Sequence, residues 1–334
     1  MPTATYPNKL FDFSTSTRDS IQRNFQLVSN VSKERIKDEL TKVFQNGDPF
    51  SFLVLLKVSG ILPLIFPALD QTIHVDQPVR YHAFDTYTHI LLVLKALQEI
   101  NNDYLVRFAV LYHDVGKVDQ YAAYTESRGD KEKIRQIIAG PLNHRNSSPE
   151  LMKQDFRALG FSNKEIDTIA RYIAEHHTPG EILNSNPNNR EKKLRKLLSE
   201  KGYEMVDNLL DINIADRKGQ FNPLQSSGDL TDSYALKEIL KKLNDEEGQF
   251  TYKDLLVDGK VLLTRYKLKP GPIVGEVLEA VFDWVLTDIP VRNTEKELDV
   301  FIKNWLKNRN PSSSMQKTGM TINNPAGGEP LLMY

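Results

Sequence analysis

The 334-residue chain has no cysteine. Disulfides and thiolate metal sites are therefore excluded, and any metal must be held by His, Asp or Glu. An excess of either charge is also missing. Lys and Arg number 43 against 44 Asp and Glu, a net charge of −1, so no global pull toward nucleic acid or a membrane surface follows. Long unbroken apolar runs are lacking too. The greasiest stretch, "FSFLVLLKVSGILPLIFPAL", is interrupted by Lys57, Gly60 and Pro63 and is a poor membrane span. The opening residues, "MPTATYPNKLFDFSTST", have no basic segment followed by an apolar run, so no signal peptide is expected. These absences predict a cytoplasmic protein with no membrane partner.

What is present is an ordinary globular balance, 40% apolar and 26% charged residues, enough for a real core. The apolar residues recur at helical spacing, and no run of strand-like alternation stands out. Thr17 reads as the cap of a helix carrying Ile21, Phe25 and Val28. Ser32 reads as the cap of the next, with Ile36, Leu40, Val43 and Phe44 on one stripe. Asp85 can cap "TYTHILLVLKALQEI". Ser148-Pro149-Glu150 reads as a helix start, with Gly160 as the stop. Ser162 and Glu165 form a capping box. Further helices are predicted over roughly 191–200, 203–216, 231–244, 274–286 and 294–307. "NSNPNN" (184–189) reads as a loop, "RGDKEK" (128–133) as a charged loop, and "DEEGQFTYKD" (245–254) as a linker. The expected fold class is all-α.

Only seven histidines occur, and six lie between His82 and His177. Helix phase sorts them. His89 shares a stripe with Leu92, Val93, Ala96, Leu97 and Ile100. His113, in "YHDVGK", continues the stripe of Leu105, Phe108, Ala109 and Tyr112. Asp216 ends the stripe of Met205, Leu209 and Ile212. Two imidazoles and a carboxylate thus belong to the inward faces of three helices, and inward polar groups need partners. A shared cation satisfies all of them. A lone buried histidine is more often hydrogen-bonded core, and His113–Asp114 alone could be a helix-end salt bridge to Lys117. The pattern of His89, His113–Asp114 and Asp216 is a donor set of the kind that suits Mn, Fe, Co, Ni or Mg.

"THILLVLKAL", "FAVLYHDVGK" and "INIADRKG" resemble the His … His-Asp … Asp signature of the HD superfamily of metal-dependent phosphohydrolases. More fully, the chain resembles the C-terminal half of the bacterial tRNA nucleotidyltransferase / poly(A) polymerase family, from about Phe11 to Asn308. "FDFSTSTRDSIQRNFQLVSNVSKERIKDEL" is similar to that family's neck helices. "VDQPVRYHAFDTYTHILLVL" is similar to the start of its HD domain. "LVDGKVLLTRYKLKPGPIVGEVLEAVFDWVL" with "NTEKELDVFIKNWL" is similar to its tail. The resemblance implies a helical neck-like region (1–75), an HD metal-binding domain (76–230) and a helical tail domain (231–309); the polar, Gly- and Pro-rich composition of 310–334 predicts a poorly ordered end.

It also implies His89, His113, Asp114 and Asp216 as metal ligands, with His144 where many HD hydrolases place a further histidine. The next ligand is open between two neighbours. His176 has the motif's His-x-x-Pro spacing, whereas His177 falls on the apolar stripe of Ile166, Ile169, Ala170 and Ile173 and is slightly favoured. With His144 and one of these, two ions would share Asp114 as a bridge.

Two readings of different class follow. In the first the chain is an HD phosphohydrolase carrying one or two divalent ions (Mn, Ni, Co, Fe or Mg). It would act on nucleotides, cyclic phosphates or RNA ends, with Asp114 and Lys117 in catalytic roles. Arg80, His82 and Arg145 are weaker substrate-binding candidates. In the second it is the non-catalytic, tRNA-holding body of a split CCA-adding enzyme whose nucleotidyltransferase head is another polypeptide. Basic segments "REKKLRKLL" (190–198) and "RYKLK" (265–269) could then meet phosphates, although each also fits a solvated face. No Gly-rich turn followed by Asp-x-Asp occurs near the N-terminus. CCA addition by this chain unaided is therefore not expected.

Overall fold

A computed structural model describes residues 14–77, 84–220 and 230–309. All regular structure among the described residues is helical, so the expected all-α class holds for them. The chain divides into two compact units, Met1–Ser185 with Glu204–Glu238, and Asn186–Tyr203 with Ile239–Tyr334.

In the first unit, α1 (Thr15–Asn24) starts three residues earlier than expected, because Ser14 and not Thr17 is the cap: its hydroxyl accepts the Thr17 N–H. After α2 (Lys33–Asn46) the greasy stretch breaks into α3 (Pro49–Val58), α4 (Leu62–Ile65) and α5 (Pro67–Asp70). No helix among the described residues is long and apolar enough to cross a membrane. Then come α6 (Thr86–Gln98), α7 (Tyr104–Tyr112), α8 (Lys117–Ser127), α9 (Lys131–Ala139), α10 (His144–Ala158), α11 (Asn163–Glu175) and α12 (Thr178–Leu183). Three sequence expectations are corrected here. "RGDKEK" is not all loop, since the Asp130 carboxylate accepts the Glu132 and Lys133 N–H groups and starts α9. Helix α10 begins at His144, not Pro149, because Asn143 supplies the cap. Pro149 lies inside it, where the missing N–H leaves only one ladder bond unmade. "NSNPNN" is loop only as far as Asn186, whose side chain caps a helix beginning at Pro187.

Helix α7 lies at the centre of this unit. Phe108 stacks on Phe44 at 4.0 Å and meets Phe156 and Phe161 edge-on at 5.1 and 5.3 Å. Burying such rings supplies roughly 1.5–3 kcal/mol each. Buried Arg107 ties the helix to its neighbours, donating to the Phe44 carbonyl at 2.7 Å, the Asn101 carbonyl at 2.9 Å and Asn102 Oδ1 at 2.8 Å. Tyr112 donates to Asp155 Oδ2 at 2.7 Å, and that oxygen also takes the Ala68 N–H at 3.1 Å. The C-terminal end of α7, where His113 and Asp114 follow, is thus held in a fixed position by packing.

The chain then gives α13 (Pro187–Lys201) to the second unit, α14 (Tyr203–Gly219) to the first from Glu204 on, and α15 (Thr231–Glu246), divided between them. The second unit adds α16 (Gly259–Thr264), α17 (Pro272–Val285), α18 (Ile289–Arg292) and α19 (Glu295–Arg309). Its core is apolar: Leu262, Val277, Val281, Phe282, Val285, Leu298 and Ile302 are all buried. Tyr252 lies stacked on Phe282 at 4.0 Å.

A candidate metal centre

Helix α6 starts where Asp85 accepts the Thr88 N–H. That start sets the phase that turns His89 inward, 1% exposed. Its Nδ1 faces the Gly219 carbonyl at 3.4 Å. Gly219 itself packs so closely on Val93 that a side chain there would collide with it. His113 caps the C-terminus of α7, and its Nδ1 lies 2.7 Å from the Val110 carbonyl. His176 repeats the device at the end of α11, with Nδ1 2.5 Å from the Ile173 carbonyl. A carbonyl only accepts, so in both rings Nδ1 carries a proton, and Nε2 is the nitrogen left to face the cluster.

Between α7 and α8 the chain turns tightly through Asp114, Val115 and Gly116. The Gly116 N–H donates to buried Ser148 Oγ at 2.9 Å. A Cβ on Gly116 would run into Ser147 and Ser148, so only glycine permits this approach. The turn buries Asp114 to 2% exposure. His144 opens α10, His177 precedes α12, and Asp216 comes from the last turn of α14.

These side chains converge. Asp114 Oδ2 lies 3.4 Å from His89 Nε2, 3.2 Å from His113 Nε2 and 2.6 Å from Lys117 Nζ. Asp216 Oδ1 is 3.1 Å from His89 Nε2 and 3.9 Å from His113 Nε2. The other oxygen of Asp114, Oδ1, lies 3.6 Å from His144 Nε2. His144 Nε2 is in turn 2.8 Å from His177 Nε2. The His176 ring sits 5.3 Å from that of His113 and 3.8 Å from that of His177. Two groups have donor atoms close enough to share an ion: His89, His113 and Asp114, and His144, His176 and His177. The two oxygens of Asp114 face one group each.

Charge divides the cluster the same way. Burial alone would raise the carboxyl of Asp114, but His113 and the Lys117 ammonium hold it well below the usual range. Asp216 is likewise kept low, against burial, by its hydrogen bond and charge contact with His89. Burial would lower His89, yet its bonds to Asp114 and Asp216 raise it to about 9. On the opposite side burial pushes His144 down to about 3 and His176 to about 4, and His177 is pushed down as well. Three neutral imidazoles therefore stand beside two carboxylates that stay ionised. His113 Nε2, Asp114 Oδ1 and His176 Nε2 are buried with no hydrogen-bond partner among the described residues. Leaving such atoms unmatched costs about 1–3 kcal/mol each. Hard-to-borderline donors, buried, aimed together and unsatisfied, fit a divalent cation.

All the candidate ligands read from the sequence are in this cluster, His176 and His177 alike. Arg145 lies at its edge and is paired with Glu181 at 2.6 Å. It also lines a separate groove of about 990 Å³ with Asp119, Asp167 and Arg171, which none of the candidate ligands enters. Arg80 and His82 lie outside the described residues. Lys117 is the salt-bridge partner of Asp114 at 2.6 Å. It begins α8, is 7% exposed, and reaches back to Asp114. In the second unit "REKKLRKLL" is not simply a solvated face: Arg195 is buried against Glu191, Glu247 and the Leu286 carbonyl. Sequence reading missed two glutamines. Gln77 accepts from Lys117 Nζ at 2.9 Å, and Gln120 accepts from His144. The phase of α8, with Gln120 three residues after Lys117, could have pointed to the second; nothing local points to Gln77.

Residues 86–218 match the family model described as the HD domain, and residues 10–73 match the probable RNA and SrmB-binding site of polymerase A. The A-adding tRNA nucleotidyltransferase of Deinococcus radiodurans is 26% identical over 278 residues, 81% of this chain and 58% of that protein. The multifunctional CCA proteins of Thioalkalivibrio sulfidiphilus and Nitrosococcus oceani are 36% and 40% identical over 91 residues, 27% of this chain and 22% of each relative. The chain thus spans little more than half the length of the Deinococcus relative and about a fifth of the other two.

Proposed function

We propose that the HD domain carried by residues 86–218 is a metal-dependent phosphohydrolase acting on nucleotides, cyclic phosphates or RNA ends. The observation that carries this reading is the buried, unsatisfied donor set around Asp114. A purely structural bundle gains nothing from a carboxylate oxygen and imidazole nitrogens buried without partners. His89, His113, Asp114 and Asp216 would hold one divalent ion. Asp114 with His144 and His177 or His176 would hold a second. Mn, Fe, Co, Ni and Mg all suit these donors. The ion's contribution is a water acidified into the neutral range and positive charge for phosphoryl oxygens.

The chain's own residues do the rest. Asp114 presents one oxygen to each donor group and so fixes their separation. Lys117 holds that carboxylate in place. Its ammonium has three N–H donors; Asp114 and Gln77 take two, which leaves one for a phosphate oxygen. The turn at Gly116, anchored by Ser148, keeps both residues rigid. The test is metal analysis of the protein as isolated, with turnover of p-nitrophenyl phosphate, 2′,3′-cyclic nucleotides and nucleoside monophosphates under each metal. Metal-dependent turnover that falls more than about 100-fold in Asp114→Ala is expected. Absence of turnover with every metal overturns the reading.

A second reading is favoured by the match of residues 10–73 to an RNA-binding site. In it the chain binds tRNA or another RNA in the cytoplasm, alongside a separate nucleotidyltransferase head. Salt-sensitive tRNA binding without turnover would select it.

A further inference from the structure

We infer that Gln120 is a positioning residue that fixes the ring of His144 with its Nε2 lone pair turned toward Asp114 and His177. Gln120 is 8% exposed and lies on α8, one turn beyond Lys117. Its Oε1 receives two hydrogen bonds from the same partner, the His144 backbone N–H at 2.7 Å and His144 Nδ1 at 2.8 Å. Its Nε2 donates to the Tyr124 hydroxyl at 2.8 Å.

The orientation of this amide follows from the donors. A backbone N–H can only donate, so the Gln120 atom facing it is the oxygen. That oxygen cannot donate to the imidazole, so Nδ1 of His144 must carry the proton. Nε2 is then the lone-pair nitrogen, 3.6 Å from Asp114 Oδ1 and 2.8 Å from His177 Nε2. Gln120 also caps one of the N–H groups that the first turn of α10 leaves without an intrahelical acceptor, so ring and helix start are fixed by one atom. His113 and His176 obtain the same tautomer from carbonyls of their own helices. His144, first in its helix, has no carbonyl three residues back within that helix, and Gln120 supplies the acceptor from another one.

The assignment rests on the metal-site reading for its purpose, but its first test does not. Long-range ¹⁵N–¹H spectra of the metal-free protein should show His144 protonated on Nδ1. Gln120→Leu should give a mixture with the Nε2–H form, while Gln120→Glu, which keeps the acceptor, should restore the Nδ1–H form. Titration with Mn or Ni followed by calorimetry should show the weaker of the two binding events loosened about 10–100-fold in Gln120→Leu and recovered in Gln120→Glu. An Nε2–H tautomer in the parent protein overturns the inference, as does an unchanged tautomer in a folded Gln120→Leu. If Gln120→Leu does not fold, the parent tautomer and the Gln120→Glu result decide. An Nδ1–H signal with no metal uptake by any of these proteins upholds the role of Gln120 and defeats the hydrolase reading instead.

Discussion

Each compact unit buries charge, and the two complete the bonding of that charge differently. In the second unit the buried cation is Arg195. Its guanidinium donates to Glu247 through Nε at 2.7 Å and Nη2 at 3.0 Å, to Glu191 at 2.8 Å and to the Leu286 carbonyl at 2.8 Å. Fork and carboxylate match in shape, and two of the three remaining donors find oxygen. In the first unit Asp114 is deeper and has cations on several sides, yet Oδ1 has no hydrogen-bond partner among the described residues. The same physics that makes Arg195 a structural staple makes Asp114 an unfinished one. An ion pair completed by the chain itself fixes packing; one left incomplete points to a ligand from outside.

Breaking the unfinished pair should give the largest effect. Asp114→Ala leaves the Lys117 ammonium buried without its carboxylate, a defect that typically costs about 3–5 kcal/mol. Urea unfolding of the metal-free protein should register that loss. Adding Lys117→Met should return much of it, since the orphaned charge and not the missing attraction causes the damage. If the double variant is no more stable than Asp114→Ala, the carboxylate contributes through something other than charge pairing.

The finished pair should break more mildly and without consequence for metal. Arg195→Met keeps the aliphatic stem but strands Glu247, which is 18% exposed and can draw water. About 1.5–3 kcal/mol is expected, in line with loss of hydrogen bonds to a charged group. Metal content, read by elemental analysis, should stay that of the parent protein. A loss of metal in Arg195→Met would erase the distinction between the two units.

Helix phase made much of the site legible, for a physical reason. An amphipathic stripe states which way a side chain points, so His89, His113 and Asp216 could be placed inward before any coordinates. Phase favoured His177 over His176, but it does not extend past the helix end between them: His176 closes α11 and His177 precedes α12, and both rings turn into the cluster. The start of α10 was misread for a related reason. Pro149 is a strong local signal, but Asn143 capping the Arg145 N–H is stronger. Gln77 was invisible, since its partner lies 40 residues away and no periodicity connects them. The all-α class required only spacing and caps. The two-unit division, which sends α13 and α14 to different units, leaves no trace in composition.

The smallest expected effect also compares the two units, through their capping boxes. In both, a hydroxyl takes an N–H of the first turn while a carboxylate returns to the cap N–H, as Ser162 with Glu165 and Thr251 with Asp254. Glu165 has more company. Burial would raise its carboxyl, but the hydrogen bond with Lys37 at 2.8 Å and those from Ser162 lower it to about 2. A carboxyl depressed in the folded state stabilises fully above its unfolded value near 4.5, and that contribution is lost as pH falls toward 2. With side chains of the pair 17–23% exposed, solvent screening leaves about 1 kcal/mol. The parent protein should therefore be more stable than Glu165→Gln at pH 7 by about that amount, and the gap should close between pH 4.5 and 2. Asp254 is fully exposed, lowered only by Thr251 and its local neighbours, so Asp254→Asn should shift stability less and with a weaker pH dependence. Unfolding midpoints of the two variants across that pH range decide the matter. Equal shifts would mean that the local box, and not the Lys37 contact across 128 residues, provides the stability.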